Sequence, residues 1–174
     1  MDTEDKLAWC EKYGEETEHQ FAVKRLHEIG IAGFVNPNKR IDKFSHDLCG
    51  IFQADLKTVR TPLFKADELF GIPAQYAVTF NEKDGRRYKE HYPNILVIFD
   101  VCWDVTEKEM DGVLYQVQPM HMTVAGFLSD IRRAIEAGGK KKIRYQRRVE
   151  DTAGNAKTSF VFDCRLLHRL DACG

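Results

Sequence analysis

The run from Asn94 to Val101, NILVIFDV, constrains the fold more than any other stretch of the chain. Its apolar residues are continuous rather than alternating, so neither face of a strand built from it can meet water. Such a strand belongs in the middle of a sheet that is covered on both sides. With 174 residues, 43% of them hydrophobic and 11% aromatic, the chain is long and apolar enough to build that core as one domain, residues 1–174.

The other elements follow from periodicity and from turn chemistry. Residues 4–14 form a short helical lead-in closed by Gly14. Glu15 to Ile29 is helical, with Glu18, Phe21, Ala22, Leu26 and Ile29 on one face and Gly30 as the stop. Ile31 to Val35 reads as a strand and NPNKR, 36–40, as a turn. The stretch HDLCGIFQADLKTVR, 46–60, alternates as two short strands or one bent strand, with a weak turn at Cys49-Gly50. Phe64 to Phe70 is a short helix stopped by Gly71 and Pro73, Gln75 to Phe80 a strand, and NEKDGRR, 81–87, a polar turn. Asp100 and Asp104 are ordinary acids at the end of the central strand unless they face a site, and Val113 to Val117 is a further strand. Thr123 to Ala137 reads as an amphipathic helix through Val124, Phe127, Leu128, Ile131 and Ile135. Residues 140–149 and 158–167 pair as a C-terminal β-hairpin with Gly154-Asn155 near its tip. The order specifies an α/β (α+β) fold: a central mixed β-sheet flanked by helices.

Several function classes are excluded. The five cysteines are scattered without a C-x-x-C pair, which argues against a zinc ribbon and for reduced thiols in a cytoplasmic protein. The acidic start, MDTEDKLAWC, has no apolar region and is not read as a signal peptide, and the longest apolar runs are too short to cross a bilayer. The six histidines have no H-x-x-x-H spacing, and no phosphate loop, dinucleotide fingerprint or G-x-S-x-G elbow is present.

What remains is concentrated in residues 46–60. Asp55 and Lys57 are two apart, so on a strand both project from one face while Leu56 turns into the core. Asp47 supplies a second carboxylate nearby. Paired carboxylates hold a hard cation, and an adjacent ammonium orients a water beside it. Glu18 is an acid on the core-facing stripe of the first helix, a place where acids are unusual; the alternative is that it only complements the helix dipole.

Asp47, Asp55-Leu56-Lys57 and the Glu-bearing helix before them resemble the signature of the PD-(D/E)xK nuclease superfamily. His46 stands where the motif has Pro, and the second acid is Asp rather than the commoner Glu. The resemblance implies a restriction-endonuclease-like core and a metal-dependent hydrolase of phosphodiester bonds, acting on DNA more than on RNA. It implies Mg2+, replaceable by Mn2+, held by Asp47, Asp55, the carbonyl of Leu56 and Glu18, with Glu15 as the second choice. Lys57 orients the attacking water or accepts its proton. Gln75 falls where relatives place a phosphate-contacting residue. A stand-alone domain of this kind suggests a phage or mobile-element enzyme, a repair nuclease or a resolvase, as a homodimer if it cuts both strands.

The formal net charge of −1 gives no global sign of a nucleic-acid partner, but Lys140, Lys141, Lys142, Arg144, Arg147 and Arg148, with Tyr145 among them, form a dense basic run. It reads as a phosphate-backbone contact surface or as a solvated hairpin edge, and Lys39, Arg40 and Lys43 would extend it toward the site. Two rival functions remain: a nuclease fold that only binds nucleic acid or protein, and a host-interaction or inhibitor protein whose acidic cluster meets a basic partner. Divergent carboxylates, or a Lys57 tied to a distant acid, favour the binding module.

Overall fold

In the computed structural model, residues 14–29, 31, 33–42, 44–50, 53–144 and 158–171 are described. The apolar run forms β5 (Leu96–Cys102), with β3 (Ala54–Val59) parallel on one side and β8 (His121–Phe127) antiparallel on the other. Val97, Ile98, Phe99 and Val101 are each 0% exposed, as a strand covered on both faces requires. Adding β1 (Gly33–Val35), β2 (Leu48–Gly50) and β11 (His168–Arg169) gives a six-stranded mixed sheet in the order β1-β2-β3-β5-β8-β11.

Side-chain alternation divides this sheet between two cores. Ala54, Leu56, Ile98 and Ala125 face the first helix, α1, and pack with Phe21, Leu26 and Leu48. This helix covers residues 14–28 and is π-helical over Phe21–Arg25 before its last residues, Leu26–Glu28. Val97, Phe99, Val101, Met122 and Val124 face the other way, into the larger core. That core is shared with α2 (Ala66–Phe70), α3 (Glu82–His91), α4 (Leu128–Ala137) and a second sheet. The second sheet orders β4 (Ala77–Asn81), β10 (Ser159–Asp163) and β9 (Lys142–Ile143), all antiparallel. A separate ribbon pairs β6 (Glu107–Met110) with β7 (Val113–Gln116). The expected mixed sheet flanked by helices is therefore observed. The strand expected at Val113 to Val117 is found there, and Gly71 closes α2 in the left-handed region at φ 60°, as a helix-terminating glycine does.

Two expectations are corrected. NEKDGRR is the start of α3 and not a turn. Asn81 caps this helix by accepting a hydrogen bond from the Lys83 N–H at 2.9 Å, and its buried face is carried by Tyr88. Gly85 misleads because it looks like a breaker; a Cβ there would lie 3.2 Å from the Phe80 ring, so glycine is what lets the helix close on β4. Thr123 to Phe127 is strand, and the helix begins only at Leu128. Pairing of Val124 with Phe99 and Thr123 with Asp100 along β5 outweighs the helical spacing of the apolar residues. The C-terminal hairpin is present where Ile143 pairs with Ser159 and Lys142 with Phe160; its expected tip, and the lead-in before residue 14, lie outside the described residues.

Ile98 is fully buried between β3 and β8 beneath α1. Ile98→Ala should lower stability by about 2–5 kcal/mol, the usual cost of an aliphatic deletion that leaves a cavity. Equilibrium urea unfolding should show an earlier midpoint with an unchanged slope.

Candidate functional site

The proposed motif residues meet where β2 leads into β3, at the junction of the two layers. Asp47 immediately precedes β2, and its Oδ2 accepts a buried 2.8 Å hydrogen bond from the backbone N–H of Leu56. This bond fixes the carboxylate beside the Asp55-Leu56-Lys57 segment of β3. Asn36 secures the other side: its N–H donates to the Asp47 carbonyl at 2.8 Å and its side-chain amide to the His46 carbonyl at 2.8 Å. The Asn36 side-chain oxygen also accepts from the Asn38 N–H at 3.0 Å, which starts the 3-10 turn Pro37–Arg40. That turn delivers Lys39. Its ammonium donates to Glu18 Oε1 at 2.5 Å and to Asp47 Oδ1 at 2.6 Å. Glu18, from α1, therefore does reach the cluster.

Asp55 and Lys57 project from one face of β3, as the two-residue spacing requires, toward α3. Lys57 Nζ lies 2.9 Å from Asp55 Oδ2 and donates to Asp84 Oδ2 at 2.8 Å. The Tyr88 hydroxyl donates to the Asp55 carboxylate, and Arg87 lies over the Tyr88 ring while reaching Asp84 at 3.5 Å. Asp47 and Asp55 are 8% and 3% exposed, so these charges interact in a poorly solvated place.

The electrostatics follow from crowding. Burial pushes Asp47 up to about 7, with the charges of Asp55 and Glu18 adding to it and Lys39 opposing. Burial likewise raises Glu18. Burial alone would lower the Lys39 ammonium, but Asp47 and Glu18 outweigh it and hold it above its ordinary value. One ammonium donates to two carboxylates, so its single positive charge cannot balance both when they are ionised. Asp55 behaves differently: burial would raise it, but Lys57 and the Tyr88 hydroxyl bring it below the usual carboxylate range. Lys57 is held well above its ordinary value because Asp55, Tyr88 and Asp84 outweigh burial. Glu18 Oε2 is buried without a hydrogen-bond partner, which leaves acceptor capacity in the cluster.

The remaining expected residues are placed elsewhere. Gln75 spends both ends of its amide on the Gln118 backbone, donating at 3.0 Å and accepting at 2.7 Å. Lys140 pairs with Glu136, Lys141 donates to the Phe70 carbonyl, and Lys142 reaches Glu82 at 3.2 Å while lying 4.7 Å from the centre of the Phe160 ring. Arg144 is exposed; Lys43, Tyr145, Arg147 and Arg148 lie outside the described residues. Asp100 is buried on the opposite sheet face from Asp55, bound by Arg60 at 3.0 Å and by His121 at 2.9 Å, and Asp104 is exposed. Neither joins the cluster. His46 is buried against the Tyr92 ring, with Nε2 3.2 Å from Cys49 Sγ.

Sequence reasoning missed Asp84, Arg87 and Tyr88, and it took Lys39 only for part of a basic surface. The signal was Asn81 followed by Glu82 and Asp84, the pattern of a capped helix start, with Tyr88 one turn after Asp84. Among the described residues, no three His, Cys, Asp or Glu side chains are set out as a ready metal-ligand group, and no helix is long and apolar enough to cross a membrane. No family model, curated protein or solved structure matches the chain.

Because the fold keeps the Asp47 proton to about pH 7 and an unfolded aspartate loses it near 3.8, folding binds a proton between those values. Stability should therefore fall as pH rises through this window and level off above it. Asp47→Asn keeps an oxygen for the Leu56 N–H and removes the charge. Its stability relative to the native chain should improve from pH 5 to pH 8 by roughly 1 kcal/mol or more, measured by urea unfolding at both pH values.

Proposed function

We propose that this chain is a metal-dependent nuclease of the PD-(D/E)xK kind, hydrolysing phosphodiester bonds in DNA more readily than in RNA. The observation that carries the reading is the convergence of Glu18, Asp47 and Asp55, from α1 and from either side of the β2–β3 connection, with Lys57 beside Asp55. A divalent cation suits this set on chemical grounds: carboxylate oxygens exceed the ammonium groups available to them, and one of them, Glu18 Oε2, is buried and unpaired. Asp47, Asp55, the Leu56 carbonyl and Glu18 would hold Mg2+ or Mn2+. When bound, such an ion neutralises phosphate charge and makes water nucleophilic near neutral pH.

The chain's own residues divide the remaining work. Asp47 is oriented by the Leu56 N–H, and Asp55 by Tyr88 and Lys57. Lys57 is kept protonated by the carboxylates around it, so its role is to orient the attacking water and face the phosphate, not to accept a proton. The basic segment after α4 is joined to the site helix through Lys142 and Glu82, near Asp84, and would track the nucleic-acid backbone through Arg144 and the residues that follow. A homodimer is expected if both strands of a duplex are cut.

One observation favours a second reading, a nuclease-like fold that binds without cutting: Lys57 is engaged by Asp84, 27 residues away in the chain. Cleavage separates the two readings. Supercoiled plasmid, single-stranded DNA and RNA should be incubated with Mg2+, Mn2+ or EDTA. The native chain is expected to cut with either metal, and Asp55→Ala and Lys57→Ala to cut at least about a hundredfold more slowly, the scale on which a positioned catalytic group acts. Absence of cutting by every form, with nucleic-acid binding unchanged in the variants, would leave the binding module.

A further inference from the structure

The geometry points to Lys39 as a resident cation that holds the place of the metal and must leave when the metal enters. This inference rests on the nuclease reading above. Lys39 Nζ sits between carboxylates of separate elements, 2.5 Å from Glu18 Oε1 on α1 and 2.6 Å from Asp47 Oδ1 ahead of β2. These are two of the proposed metal ligands. The other acids of the site have their own cation: Lys57 contacts Asp55 at 2.9 Å and Asp84 at 2.8 Å. The two lysines therefore partition the acids in pairs, and each pair keeps a buried carboxylate oxygen without a hydrogen-bond partner, Glu18 Oε2 and Asp55 Oδ2.

Distances set the conflict. A divalent ion bound to Asp47 stands about 2.0–2.1 Å from a carboxylate oxygen. An ammonium donating to the same carboxylate would then lie within about 4 Å of it, where like charges in a poorly solvated site repel strongly. Both cannot remain at full occupancy. The turn carrying the side chain is held by Asn36 through backbone groups of His46 and Asp47, so Lys39 can leave the carboxylates without undoing the turn, and its side chain is already 20% exposed. Arg40, next in the same turn, is exposed and shows that the outward direction is open to a long basic side chain. Lys39 thus keeps the acidic residues together before the metal arrives and lowers the affinity with which it binds.

The test is direct binding of Mn2+, followed by loss of the free-ion paramagnetic resonance signal and by calorimetry, with no nucleic acid present. Native chain, Lys39→Met, Lys39→Gln, Lys39→Arg and Asp47→Asn would be compared. Lys39→Gln retains N–H donors for both carboxylates and keeps the fold should Lys39→Met not. Loss of the ammonium in the Met and Gln forms should tighten Mn2+ binding on the order of tenfold or more, the scale of removing a nearby like charge from a partly exposed site. The Arg form should stay near native affinity. Unchanged or weaker binding in the Met and Gln forms, with binding lost in Asp47→Asn, overturns the role of Lys39 and leaves the metal site standing. Absence of Mn2+ binding in every form overturns both.

Discussion

Carboxylates buried side by side repel, and the way this chain tolerates that repulsion sets the arrangement around β3. Glu18, Asp47 and Asp55 come from positions 18, 47 and 55, yet the charge of Asp55 raises both Glu18 and Asp47, and Glu18 raises Asp47 further. Two lysines hold them, and every contact between them is a charge-assisted hydrogen bond or ion pair of 2.5 to 2.9 Å. Removing one partner of such a set leaves an uncompensated buried charge, which costs far more than the pair itself contributes. The cluster is consequently a poor device for stability.

The apolar architecture makes this possible by being indifferent to it. β5 is sealed on both faces, and the alternation of Leu56 into one core with Asp55 and Lys57 toward the other follows from its pairing with β3. α1 is fastened to the sheet away from the cluster, where Arg25 donates to the Thr123 hydroxyl at 3.1 Å and pairs with Asp171 at 3.2 Å. The π-helical turn Phe21–Arg25 begins three residues after Glu18 and is the kind of local irregularity often found beside functional side chains. Phe21 and Leu26 anchor the helix in the core while Glu18 is left at its rim.

Legibility in the sequence tracked the range of the forces involved. The central strand was readable because continuous apolar character is a local property, and Asp55 and Lys57 shared a face because the strand period is two. Glu18 was readable as an acid on an apolar stripe, although only the fold shows what it meets, which is the Lys39 ammonium. α3 was not readable because Gly85 and five charged neighbours imitate a turn, while the reason for the glycine is the Phe80 ring on another element. The strand at Thr123 to Phe127 depends on pairing with β5, which no local period reveals. Asp84 entered the site only once α3 was a helix.

The engagement of Lys57 by Asp84 can be weighed against catalysis by counting donors. An ammonium has three N–H groups; Asp84 accepts from one, and Asp55 pairs with the charge at 2.9 Å without an aligned hydrogen bond to Oδ2. Donor capacity therefore remains for a water or a phosphate oxygen. Charge points the same way. With Asp47 ionised, Glu18, Asp47, Asp55 and Asp84 stand against Lys39, Lys57 and Arg87, leaving one net negative charge in the cluster. That sign opposes the approach of a phosphodiester to the cluster. On the proposed reading, a divalent cation that takes the place of Lys39 would bring the cluster to zero and remove that repulsion. If the proposed nuclease reading holds, a metal would therefore have to enter the cluster before a phosphate.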